Sequence, residues 1–168
     1  MFTNDNLSVG IVIPTLNAEK DIEKNLKCID QSKNRVLIID SKSSDRTIEI
    51  AKNYNCFIAL EEKFNHGSTR ERARKILNTD IVVYLTQDAF LESQESIDLL
   101  IKPIKDGKAS ISYGRQIERK GSSIFESFPV NFNYPEKSNI RSISDINKYG
   151  VYTFFCSDNF GAYLNSHL

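Results

Sequence analysis

Three short stretches of this sequence carry the side chains best able to do chemistry, and each follows directly on a run of apolar residues. They are Pro14-Thr15-Leu16-Asn17, Asp40-Ser41-Lys42-Ser43-Ser44-Asp45 and Thr86-Gln87-Asp88-Ala89. A carboxylate in such a place can accept a nucleobase N–H or bind a divalent cation. Thr15 and Asp45 are equally well explained as helix caps. Asp40 differs, because Ser44 already supplies a cap and a carboxylate on a buried strand end wants another partner. A further cluster, Arg70, Arg72, Arg74 and Lys75, is the strongest local concentration of positive charge. Arg70 and Arg74 are four residues apart and share a helix face, whereas Arg72 points elsewhere. Arg72 and Lys75 read as a solvated charged face. Arg70, just past Asn65-His66-Gly67, reads as a phosphate or base contact, since a guanidinium presents a planar fork to phosphate oxygens. His66, in the turn before that helix, reads as structural rather than as a general base. Neither G-x-G-x-x-G nor G-x-x-x-x-G-K-[ST] occurs, so the usual dinucleotide and P-loop phosphate cradles are excluded.

The elements that must position these residues alternate. Residues 9–13, 35–40, 56–60, 81–85 and 109–113 read as strands, the first, second and fourth being continuous apolar runs. Between them, residues 18–29, a segment starting at Ser44-Asp45, residues 68–77 and residues 96–104 show helical spacing. This order predicts an α/β fold with a mostly parallel sheet flanked by helices. Ligands of such sheets bind outside the carboxyl ends of the strands, which is where the polar stretches fall. Residues 115–150 predict an irregular stretch with aromatic anchors at Phe125, Phe128, Phe132 and Tyr134. Residues 151–155 read as a closing strand.

Composition narrows the function classes. The 168 residues carry 22 Lys+Arg against 22 Asp+Glu, and the 40% hydrophobic share is that of an ordinary globular chain, which excludes disorder and a disulfide scaffold. Zero net charge argues against a nucleic-acid partner held by phosphate electrostatics. Cys28, Cys56 and Cys156 form no C-x-x-C and read as free thiols of a reducing compartment. No apolar run approaches the roughly 20 residues that span a bilayer, and the polar start is no signal peptide. The expectation is a cytoplasmic protein, compatible with peripheral association at the inner face of a membrane.

The segments VGIVIPTLNAEKDIEKNL, IIDSKSSDRTIEIAK, FNHGSTRERA, IVVYLTQDA, YGRQ, FNYP and FFCSDNFGAYLNS follow the order seen in family 2 glycosyltransferases. The chain most resembles their rhamnosyltransferase-type branch, whose members have the GT-A nucleotide-diphospho-sugar transferase fold. That resemblance implies a single GT-A donor-binding domain over residues 1–168: a nucleotide-binding half to about 114, the irregular stretch 115–150, and the start of an acceptor-side half at 151–168. It implies that Thr15 and Asn17 cup the nucleoside and that Asp40 meets a pyrimidine N3–H, with Ser43 and Asp45 completing that loop. Arg70 matches an arginine near base and diphosphate. Thr86-Gln87-Asp88 occupies the place of the family's D-x-D signature, so Gln87 and Asp88 line the donor site and Asp88 is the implied ligand of Mg²⁺ or Mn²⁺. Ser41 and Lys42 stand where the family commonly has Asp and Gly, and Thr86 replaces the first Asp of D-x-D.

The implied activity is an inverting, metal-assisted transfer of a sugar, rhamnose or a related deoxyhexose. The donor would be a pyrimidine nucleotide-diphospho-sugar and the acceptor a saccharide or lipid-linked saccharide of a cell-surface polysaccharide. The family's usual catalytic carboxylate is expected beyond Leu168, which leaves Asp158 as the local candidate base. The alternatives are a non-catalytic nucleotide-sugar-binding module or an inactive truncated transferase. A sugar nucleotidylyltransferase would need a Gly-rich triphosphate loop where Pro14-Thr15-Leu16-Asn17 stands.

Overall fold

Strands buried on both faces need near-continuous apolar runs, and three segments are built around one: β1 (Val9–Thr15), β2 (Asn34–Asp40, with Arg35 exposed near its start) and β4 (Ile81–Leu85). The computed structural model describes residues 6–117, 121, 128, 130, 134, 136–157 and 159–168. Three further strands are β3 (Phe57–Leu60), β5 (Ile111–Tyr113) and β6 (Phe160–Leu164). Among the described residues the sheet has the order β3-β2-β1-β4-β6-β5. β1 to β4 run parallel, and β6 lies antiparallel between β4 and β5.

Among the described residues, the helices that pack on the sheet are α1 (Ile22–Cys28), α2 (Thr47–Ala51), α3 (His66–Leu77) and α4 (Ser96–Lys105). Alternate strand residues point to opposite faces and build two cores. Ile11, Ile13, Val36, Ile38 and Val83 pack with Ile22 and Leu26 of α1, Ala51 of α2 and Ile101 of α4. Val12, Leu37, Ile39 and Val82 pack instead with Ala73 and Leu77 of α3. Burying each such aliphatic side chain stabilises the fold by about 1.5–3 kcal/mol. Gly10 lets α3 come down onto β1. A Cβ there would lie 2.6 Å from Thr79 Oγ1 and 2.9 Å from Leu77 Cδ1.

Helix α3 has clear ends. Asn65 Oδ1 accepts from the amides of Gly67 and Ser68, both at 3.1 Å, and Asn78 terminates the helix in the left-handed region at φ 45°. Helix α1 begins four residues later than its apolar spacing predicts. Residues 18–21 form a turn instead, with the amides of Asp21 and Ile22 both donating to the Ala18 carbonyl.

The predicted closing strand over residues 151–155 is not one. Gly150–Phe154 forms a 3₁₀ turn that exposes Val151 and Phe154. The free edge of β4 is taken by β6, which sets Gly161 and Ala162 against Tyr84 and Val83. A short branched and aromatic run has strand propensity but no partner once that edge is filled. Of the predicted anchors, Tyr134 is buried and donates its hydroxyl to Ser157 Oγ at 3.0 Å, with its ring edge-on to Tyr113 and Phe155. Phe128 is exposed, and Phe125 and Phe132 lie outside the described residues. Among the described residues no helix is long and apolar enough to cross a membrane.

Candidate functional site

Parallel pairing brings the carboxyl ends of β1, β2 and β4 to one edge, and register sets Thr15 directly beside Asp40. Asp40 has no exposed surface. Its Oδ2 accepts from Thr15 Oγ1 at 2.7 Å and from Ser43 Oγ at 2.6 Å, while its Oδ1 accepts from the Ser43 amide at 2.8 Å. The Ser43 hydroxyl accepts in turn from the Asn17 amide at 2.8 Å. Asn17 Oδ1 accepts from the Ser44 amide at 2.9 Å. The contact between Asp40 and a base N–H that the resemblance implies is therefore closed in this arrangement. A carboxylate with three donors and no exposed surface sits behind the rim and holds its shape.

Asp45 ties the same loop to the chain after β1. Its Oδ1 accepts from the Thr47 amide at 3.0 Å and from the Thr47 hydroxyl, and its Oδ2 accepts from the Glu19 amide at 3.0 Å. Burial works to raise the Asp45 pKa, but the bonds from the Thr47 hydroxyl and the two amides prevail and hold it below the ordinary carboxylate range. Buried Thr47 completes the link by accepting from the Ala18 amide at 2.7 Å. Asp45 thus bonds the first amide of α2 and ties it to the turn after β1.

Lys42, at the tip of the β2 loop, has φ 65°, the left-handed region that costs a side chain free energy. Its ammonium points across the surface to Glu62 Oε1 at 3.6 Å, as expected for a solvent-facing lysine. We expect Lys42→Gly to raise the unfolding free energy by about 0.5–1 kcal/mol, the relief of strain outweighing the entropy of the new glycine. Urea denaturation checks this, and a lowered midpoint would contradict it.

The Thr86-Gln87-Asp88 turn is pinned from three sides. The Gln87 side-chain amide brackets Leu16, accepting from its N–H at 2.8 Å and donating to its carbonyl at 3.2 Å. The Gln87 backbone carbonyl accepts from Asn25 Nδ2 of α1 at 3.2 Å, and the Thr86 amide donates to the Asn159 carbonyl at 2.9 Å. Gln87 thus uses both ends of its amide on the backbone of Leu16. Asp88 is exposed at the rim. On the α3 side, the Arg70 guanidinium lies 5.7 Å from the centre of the Tyr84 ring, near the end of β4. The Tyr84 hydroxyl donates to the Arg70 carbonyl at 3.2 Å, and burial pushes that phenol's pKa up.

Arg72 leaves the rim to bond the Leu60 carbonyl at 2.9 Å and Glu61 Oε2 at 3.1 Å. Arg74 pairs with Glu71 and also donates to Asn165 Oδ1. His66 opens α3, exposed, with its ring edge-on to Phe64 at 4.8 Å. Asp158 lies outside the described residues.

Sequence reasoning missed Asn25, although it left a signal. It is a polar residue on the apolar face of α1, three residues from Ile22 and four from Ile29.

The donor set also bears on a metal. Among the described residues no group of three or more His, Cys, Asp and Glu side chains could hold one. Exposed Asp88 and the buried, unpartnered Thr86 Oγ1 fit an ion shared with the oxygens of a bound ligand, not one caged by protein alone.

The chain is 35% identical over 167 residues to the O-antigen chain rhamnosyltransferase RfbN of Salmonella typhimurium, a match covering 95% of this chain and 53% of that protein. It is 35% identical over 135 residues to the O-antigen chain rhamnosyltransferase WbaN of Salmonella anatum, covering 79% of this chain and 43% of the relative. The chain thus spans about half the length of these curated relatives. Its fold superposes on glucosyl-3-phosphoglycerate synthase of Mycobacterium tuberculosis, solved with Mn²⁺, uridine diphosphate and glucosyl-3-phosphoglycerate. The TM-score is 0.68 at 17% identity, over 98% of this chain and 59% of that one. The architecture is GT-A, with its rim at the carboxyl ends of the parallel strands. The family model for glycosyl transferase family 2 matches residues 10–168, so the β1 and β2 loops and the Thr86-Gln87-Asp88 turn all lie within the match, and the chain belongs to that family.

Proposed function

We propose that this chain binds a pyrimidine nucleotide-diphospho-sugar at the rim formed by β1, β2 and β4, as the donor-binding part of an inverting glycosyltransferase. The observation that carries the reading is the Thr86-Gln87-Asp88 turn, held by Leu16, Asn25 and Asn159 with Asp88 at the exposed edge. Likeness to O-antigen rhamnosyltransferases supports rhamnose or a related deoxyhexose as the sugar and a surface polysaccharide, or its lipid-linked precursor, as the acceptor. A lipid-linked acceptor would be met at the inner face of the membrane.

The residues divide the work. Thr15, Asp40, Ser43, Asn17 and Asp45 hold the β1 and β2 loops together by hydrogen bonds, so the nucleoside meets a preformed edge. Arg70 sets a delocalised positive charge on the α3 side, suited to diphosphate oxygens. Asp88 would hold Mg²⁺ or Mn²⁺ together with those oxygens. Such an ion, when bound, supplies Lewis-acid stabilisation of a departing diphosphate. In an inverting reaction the acceptor hydroxyl attacks the anomeric carbon as the nucleoside diphosphate leaves, and a carboxylate takes the hydroxyl proton. Asp158 is the candidate for that last role within this chain.

Calorimetric titration with UDP, dTDP, ADP and GDP, each with Mn²⁺ and with EDTA, tests the binding reading. Binding of the pyrimidine nucleotides, tightened by Mn²⁺, is expected. Equal affinity for the purine nucleotides would overturn the pyrimidine assignment, and no binding of any would overturn the site.

A further inference from the structure

Asn25 occupies a position where an aliphatic residue would complete the core. It has no exposed surface, and its neighbours on the same face of α1, Ile22 and Leu26, belong to the apolar cluster beneath the sheet. Its Nδ2 donates to the Gln87 carbonyl at 3.2 Å, and its Oδ1 is buried without a hydrogen-bond partner. Keeping a buried oxygen unpaired is unfavourable, and an apolar side chain of similar size would avoid that cost. The residue is therefore poorly explained by packing. Thr86 Oγ1, on the turn that Asn25 supports, is likewise buried and unpartnered.

The atom that Asn25 holds matters more than the number of its bonds. The Gln87 carbonyl belongs to the planar peptide that joins Gln87 to Asp88. Fixing that oxygen fixes the peptide plane and the position of Asp88 Cα, and the Ala89 amide, donating to the Thr86 carbonyl at 3.1 Å, restrains the backbone on the other side of Asp88. The Gln87 side chain is already locked on Leu16, so Asn25 removes the remaining freedom of the turn from below. We propose that Asn25 is a positioning residue for the donor site: through the Gln87 carbonyl it aims the Asp88 carboxylate at a cation shared with a nucleoside diphosphate. The proposal rests on the rim being the nucleotide site. Groups that orient a metal ligand in this way typically account for about 10–100-fold in metal affinity.

The experiment uses the 168-residue chain and its Asn25→Leu and Asn25→Ser variants. Each is titrated with UDP in Mn²⁺ and in EDTA, and its melting temperature is measured. The Mn²⁺-dependent gain in UDP affinity is expected to fall by about tenfold or more in both variants, with affinity in EDTA within about twofold of the parent. A residue that serves packing alone would shift the melting temperature and leave the gain intact, so an undiminished gain in either folded variant overturns the proposal. Asn25→Ser, the smaller change, carries the test if Asn25→Leu does not fold. Should the parent show no Mn²⁺-dependent gain, the metal-assisted reading of the rim fails and this proposal falls with it. A parental gain that the variants retain sinks the role of Asn25 alone.

Discussion

Asp40→Ala is expected to lower the unfolding free energy by about 3–4 kcal/mol and to remove measurable nucleotide binding. The carboxylate accepts from Thr15 Oγ1, Ser43 Oγ and the Ser43 amide with no exposed surface of its own. A hydrogen bond to a charged group contributes about 1.5–3 kcal/mol. The three losses do not add in full, because both hydroxyls can turn to other acceptors. The Ser43 amide cannot turn, and it is left facing a cavity. Because single domains are stable by about 5–15 kcal/mol, this is a large share of the total. Asp40→Asn keeps the size and one acceptor oxygen, so its cost is expected to be smaller, about 1–2 kcal/mol. Urea denaturation and calorimetry on both variants separate the two roles discussed for this residue. Binding lost in Asp40→Asn with an unchanged urea midpoint would mean that Asp40 touches the base after all.

Asp88→Ala is expected to abolish the Mn²⁺-dependent part of UDP binding while the binding seen in EDTA persists. Asp88 is the carboxylate at the rim, and the described residues around it form no multidentate metal cluster. Removing it leaves a cation only water and diphosphate oxygens. The loss is expected to be at least about tenfold in affinity, or about 1.4 kcal/mol. Folding stability is expected to move less than in Asp40→Ala, since Asp88 is exposed whereas Asp40 is fully buried. That contrast separates Asp88 from Asp40. If Mn²⁺ tightens UDP binding by Asp88→Ala as much as it does for the parent, the ion is held elsewhere.

The sequence and the structure agree most closely where physics is local. The continuous apolar runs of β1, β2 and β4 announce strands buried on both faces, and the polar residues that follow them announce an edge. Residues 151–155 show the limit of such reading. Val151-Tyr152-Thr153-Phe154-Phe155 has the composition of a strand, yet Phe160–Leu164 takes the place beside β4. The choice between two segments for one sheet edge depends on which fits the whole chain, and a window of five residues cannot contain it.

Which residues gather at the rim is legible along the chain, because the end of a buried strand and the turn after it are local features. How they bond to one another is not. Parallel register sets Thr15 beside Asp40, and the Ser43 loop closes over both, so residues legible as ligand contacts become one internal network. Gln87 brackets Leu16 from 71 positions away, and Asn25 reaches its carbonyl across 62. Hydrogen-bond partners so distant along the chain leave no periodicity in it, whereas burial does. Which polar groups meet one another and which face a ligand is therefore set by strand register and helix packing.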